Sequence, residues 1–193
     1  MIKIGITGGI GSGKSVVSAL LDKAGIPVYV ADDVSKQLTA TSPVIQKKMK
    51  ALFGDDIYIN GILDGKRLAS LIFTDELLLN KVNSIIHPVV RKNFLQWASK
   101  QASKRCAIES AILYESGFDK DVDVVLTVYA PVELRLTRAM QRDSATEAGI
   151  MKRMNRQMPD EIKRKQADFV VVNDGVQALM PQIEQFLKIL PKK

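Results

Sequence analysis

The chain has 193 residues, a formal net charge of +7, 46% hydrophobic and 25% charged residues, and one cysteine. That length can bury a full core in one compact domain, and no apolar run is long enough to span a membrane. A single Cys106 excludes an internal disulfide and is read as an inert core residue, and the basic residues form no arm or tail of the kind that grips nucleic acid.

The β-branched run from Ile2 to Thr7 predicts a strand, entered with no signal-peptide pattern, so a cytoplasmic location is expected. The strand leads into Gly8-Gly9-Ile10-Gly11-Ser12-Gly13-Lys14-Ser15, which fits G-x-x-x-x-G-K-[ST], the phosphate-binding loop. An amphipathic helix carrying Val16, Val17, Leu20, Leu21 and Ala24 follows, which is the context the motif requires. Glycines at 9, 11 and 13 let backbone N–H groups, with that of Ser12, turn toward an anion, and the new helix adds its positive end. Lys14 supplies a cation for the β- and γ-phosphates, and the Ser15 hydroxyl suits Mg²⁺. This is the pattern of a nucleoside-triphosphate site.

The first helix is expected to end at Ala24-Gly25, and Ile26 to Val30 to form a second parallel strand. Asp32-Asp33 then stand at a strand's C-terminal end, the edge where open α/β sheets bind ligands. Asp32 could accept a hydroxyl proton or hold Mg²⁺ through water, with Asp33 as the N-cap of the next helix; the alternative to this division is a capping role alone. From Val34 to Lys104 the chain reads almost wholly helical, with Ser42-Pro43 opening a helix that Gly54 closes and turns at Asn60-Gly61 and Asp64-Gly65. His87-Pro88 is expected to break this run, with a new helix from Val89 to Ala102 carrying Trp97. His87, the only histidine, reads either as a satisfied structural residue or as a substrate contact, and lacks the companions of a metal site.

Arg105 to Glu109 reads as the third strand, with Ser110 to Glu115 just past its ligand-facing end. Asp123 to Tyr129 is a buried parallel strand, and Ala130-Pro131 opens a helix with Arg135, Arg138 and Arg142 on one side. The basic, Met-rich stretch from Ser144 to Gln166 breaks at Met158-Pro159 and is read as a lid. Its basic residues, Lys163 among them, form a solvated face or in part meet phosphates. Phe169 to Val172 is the last strand, Asn173-Asp174-Gly175 its end, and Leu179 to Ile189 a closing amphipathic helix. An α/β fold follows, with five parallel strands and helices on both faces.

Taken together, these motifs resemble the dephospho-CoA kinase family over nearly the whole chain. The resemblance rests on Thr7 to Ser15, Ala31-Asp32, Ile86-His87-Pro88, Leu113-Tyr114-Glu115, Arg138 with Arg142-Asp143, Gln157-Met158-Pro159, Ala167-Asp168 and Asn173-Asp174-Gly175. It implies a single P-loop kinase domain, 1–193, of the three-layer P-loop NTPase type. Residues 1–30, 104–140 and 167–193 would form the nucleotide-binding core, 31–103 the helical CoA-binding insertion and 141–166 the lid. It also implies transfer of the ATP γ-phosphate to the ribose 3′-hydroxyl of dephospho-CoA, with Mg²⁺ as cofactor. By the same carry-over, Gly9 and Gly11 to Val16 line the ATP phosphates and Asn173 lies near the adenine. Asp32 activates the acceptor, Arg138 and Arg142 neutralise the moving phosphoryl group, and Lys36, His87 and Glu115 join Asp32 at the acceptor. Three departures are Val30 where the family has the first Asp of Asp-Ala-Asp, Ala111-Ile112-Leu113 for Pro-Leu-Leu, and Val16 for a common Thr. Asp32 alone is expected to suffice. A nucleoside monophosphate kinase and a non-catalytic nucleotide binder remain as other readings. Neither nucleic acid nor membrane is expected as a partner, and the chain is expected to be a monomer or weak homo-oligomer.

Overall fold

The computed structural model describes residues 1–72 and 75–190. Phe73, Thr74 and residues 191–193, within the expected insertion and last core segment, lie outside the described residues. The chain begins β1 (Ile2–Thr7), α1 (Lys14–Lys23), β2 (Val28–Val30), α2 (Ala31–Thr41) and α3 (Pro43–Phe53). It continues through β3 (Tyr58–Ile59), β4 (Ile62–Leu63), α4 (Gly65–Ile72), α5 (Glu76–Ser99) and β5 (Arg105–Glu109). The remainder is β6 (Val124–Tyr129), α6 (Val132–Asp143), α7 (Glu147–Met154), α8 (Asp160–Gln166), β7 (Phe169–Val172) and α9 (Leu179–Ile189). No helix among the described residues is long and apolar enough to cross a membrane.

The chain divides into two compact units, Ala31–Ser99 and the remainder on either side of it. In the larger unit all five long strands are parallel, in the order β2-β5-β1-β6-β7. Alternation along β1 and β6 sends Ile2, Ile4, Ile6, Leu126 and Val128 to one face, where Val17 and Leu21 of α1 and Ile183 and Phe186 of α9 close a core. Leu113 covers Gly5 on the other face, and α8 packs there against β6. The sheet is therefore the middle layer of three. Since β1 is central and the chain leaves it first to one side and later to the other, its C-terminal end is the switch point where α/β sheets bind ligands. The glycine-rich loop occupies that position.

The second unit, expected to be almost wholly helical, also holds a two-stranded sheet. Asn60 and Gly61 both have positive φ, 51° and 79°, and connect β3 to β4 as a two-residue hairpin turn. Asp64 is a helix cap rather than part of a turn: its Oδ1 accepts the Arg67 N–H at 2.9 Å at the start of α4. Gly54 follows α3 as expected, but Ser42 makes no side-chain cap bond. The expected break at His87-Pro88 does not occur, because α5 runs unbroken through Pro88. Val82, Ile86, Val90, Phe94 and Ala98 recur every fourth residue and are all buried, so one apolar stripe holds both halves of the helix in line. Packing outweighs the hydrogen bond that proline removes. The helix ends at Ser99, short of Ala102, and β2 starts at Val28 rather than Ile26.

Candidate active site

The loop Gly8–Ser15 joins β1 to α1, and α1 begins at Lys14. Gly13 has φ +92°, and a Cβ there would strike the Asn173 carboxamide, so the position admits only glycine. Asn173 lies just past β7 and is built into the loop's support. Its Nδ2 donates to the Ser12 carbonyl at 2.8 Å, its N–H to Tyr129 at 2.7 Å, and its carbonyl accepts Arg138 Nη1 at 3.0 Å. Ser12 is buried with its hydroxyl beside Gly8, so it offers the site its backbone. Lys14 reaches back to the Gly9 carbonyl at 3.3 Å, while Ser15 and Val16 stand exposed in the first turn of α1.

The far side of the loop meets α6 and the stretch expected as a lid. Gln157 Oε1 accepts the Ile10 N–H at 3.0 Å. Arg135 pairs with Asp160 at 2.6 Å, both side chains about nine-tenths buried, and a Cβ on Gly9 would collide with that pair. Ile10 packs into a small apolar cluster with Ala139, Ile150 and Met154. A cavity of about 390 Å³ lies beside it, walled by Met151, Met154 and Met158. The methionines thus form a local core and a pocket wall.

Other expected residues fall as follows. Glu115 is tied to this same stretch, accepting the Met158 N–H at 2.7 Å and pairing with Lys163 at 3.0 Å. Arg142 is bidentate to Asp143, which Arg153 also meets at 2.6 Å; these cations hold the Asp143 carboxyl well below its usual range. Asp32, Lys36 and His87 belong to the second unit. Asp32 is the second residue of α2, which starts directly at Ala31, so Asp33 lies inside the first turn and is not its N-cap. Asp33 instead forms an exposed 3.4 Å pair with Lys36, of the kind that contributes little. His87 is half-buried in α5, and desolvation lowers its pKa from 6.5, leaving a neutral imidazole at neutral pH.

Two residues escaped the reading of the sequence. Glu109 ends β5, next to β1, is buried, and accepts the Ser18 hydroxyl at 2.6 Å on the face of α1 that also carries Lys14 and Ser15. A carboxylate closing an interior strand was the available signal. Lys163, expected on a solvated or phosphate-facing surface, is wholly buried. Nothing in its basic surroundings marks it. As for Mg²⁺, the exposed Ser15 hydroxyl is an oxygen donor that suits it, and the Glu109 carboxylate, bonded to Ser18 one turn further along α1, is a hard-oxygen group of the kind it takes. Among the described residues, no group of three or more His, Cys, Asp or Glu is placed to hold a metal ion.

Comparison with known proteins gives a consistent answer. A family model described as dephospho-CoA kinase matches residues 2–178. A Bacteroides fragilis protein named dephospho-CoA kinase is 49% identical over 193 residues, covering 100% of this chain and 94% of its own. A Thermus thermophilus crystal structure superposes with a TM-score of 0.87 at 33% identity, covering 99% of this chain and 98% of that one. The fold also matches a Campylobacter jejuni dephospho-CoA kinase, TM-score 0.67 at 23% identity, over 97% and 94% of the two chains.

Proposed function

The chain belongs to the dephospho-CoA kinase family, and from that premise we propose that it transfers the γ-phosphate of ATP to the ribose 3′-hydroxyl of dephospho-CoA, giving CoA and ADP. One observation carries the reading: a phosphate loop at the end of the central strand, in a chain whose family likeness runs through both compact units.

Phosphoryl transfer asks a protein for position and for compensation of charge. The N–H groups of Gly11 to Lys14 and the Lys14 ammonium hold the triphosphate, and Asn173 braces the loop from behind. Ser15 and Glu109 would hold Mg²⁺, which supplies neutralisation of β- and γ-phosphate charge. Asp32 orients the acceptor hydroxyl and takes its proton. Arg142, at the C-terminal end of α6, is the cation proposed for the moving phosphoryl group. Arg138, which also donates to the Asn173 carbonyl, is proposed for the same role. Residues 31–103 supply the acceptor site, with Lys36 and His87, and 141–166 act as the lid that excludes water. The enzyme works in the cytoplasm as a monomer or weak homo-oligomer.

The test is ADP release from Mg·ATP with dephospho-CoA, AMP, CMP or no acceptor in parallel. Release with dephospho-CoA alone, giving a product heavier by one phosphoryl group, is the expected result. It would also establish that Val30, in place of an acidic residue, leaves Asp32 competent. Release with a nucleoside monophosphate, or ATP binding without release, would overturn the assignment.

A further inference from the structure

We propose that Lys163 is a positioning residue for the triphosphate loop, acting through Gln157 without touching ATP. The inference rests on the reading of Gly8–Ser15 as the ATP-phosphate loop. Helix α8 has seven residues, Asp160–Gln166; its one wholly buried residue is Lys163, and the Asp160 side chain is about nine-tenths buried against Arg135. Its apolar residue, Ile162, is exposed. Charged side chains therefore fix this helix in place of apolar ones: Lys163, Asp160 on Arg135, and Arg164 over the Tyr129 ring at 4.1 Å.

The Lys163 ammonium donates to the Ala111 carbonyl at 2.6 Å and pairs with Glu115 at 3.0 Å. Glu115 in turn accepts the Met158 N–H at 2.7 Å. The clasp thus grips the segment at residues 158 and 163 and ties it to the loop that follows β5. Gln157, adjacent to the gripped Met158, accepts the Ile10 N–H at 3.0 Å. Asp160, between the two grips, holds Arg135 at 2.6 Å, and Arg135 donates from Nε to the Ala130 carbonyl at 3.1 Å. The tip of the phosphate loop is so held by groups whose own place depends on the clasp. A wholly buried ammonium without its carboxylate is costly, which makes the clasp a single-position device rather than a loose surface pair.

The experiment compares wild type, K163M, Q157A and the double variant for Mg·ATP dissociation constant, KM of both substrates and thermal midpoint. K163M and Q157A are each expected to weaken ATP binding about tenfold, the scale of one lost charge-assisted or buried hydrogen bond, with the dephospho-CoA KM unchanged. The double variant should be no worse than about tenfold, because both changes break one pathway. A folded K163M with wild-type ATP affinity, or effects that multiply to about a hundredfold in the double variant, would overturn the proposal. If K163M does not fold, K163Q, whose amide can still donate to the Ala111 carbonyl, takes its place in the same cycle. Failure of wild type to bind ATP would remove the loop reading itself, whereas binding by wild type and K163M alike removes only the role of Lys163.

Discussion

At Lys14 the chain places an ammonium on the first residue of α1, with the Gly9 carbonyl 3.3 Å away. The residue is half-buried and belongs to none of the core clusters among the described residues, so removing it leaves that packing intact. Lys14→Ala is therefore expected to lower turnover by about a thousandfold, the upper range for loss of one electrostatic stabiliser, at an unchanged melting temperature. Steady-state ADP release alongside a thermal melt checks both halves. Asp32 is tested by Asp32→Asn, which keeps shape and removes the base. A fall in kcat of about 10²- to 10⁴-fold with little change in ATP affinity is expected. Turnover equal to wild type would reduce Asp32 to a first-turn acid of α2 that merely favours the helix's positive end.

Helix α5 carries its consequences as a unit. Its buried stripe passes through His87-Pro88 without interruption, and the neighbouring imidazole is desolvated with it. The folded state therefore prefers neutral His87, while the unfolded chain titrates near 6.5. As pH falls through 6.5 the unfolded state binds the proton first, so this contribution is complete above 6.5 and is lost progressively toward the lower, folded pKa. Urea melts at about pH 7.5 and about pH 5.5 should show wild-type stability falling, and His87→Gln falling less. Equal slopes for the two proteins would remove His87 from the acid response.

Across the whole molecule, a net charge of +7 meets two polyanionic substrates. Part of the apparent basic surface is locally paired: Arg135 with Asp160, Lys163 with Glu115, and Arg153 with Asp143. What remains acts as a field. Raising ionic strength from about 0.01 to 0.1 M shortens the screening length from about 30 to 10 Å, so KM for ATP and dephospho-CoA should rise while kcat holds. Initial rates at fixed Mg²⁺ across that range measure it; a kcat that falls with constant KM would contradict it.

The amino-acid sequence by itself determined the parts that local chemistry dictates. The loop Gly8–Ser15, the β-branched strands on either side and the closing helix are written in residue type and spacing, because tight turns, phosphate contact and strand burial each admit few residues. The turn at Asn60-Gly61 was legible too, but not the hairpin it closes, because Tyr58-Ile59 and Ile62-Leu63 are too short to show alternation. Only the tertiary structure decided the rest. Pro88 sits inside a helix because distant apolar partners outweigh one missing hydrogen bond. Lys163 is buried because Glu115, Ala111 and Met158 come together around it, and no periodicity records a partner about fifty positions away. Asn173 braces Ser12 across 161 positions for the same reason. Local propensity is a property of neighbours in the chain, whereas the pairing of a buried charge is a property of neighbours in space.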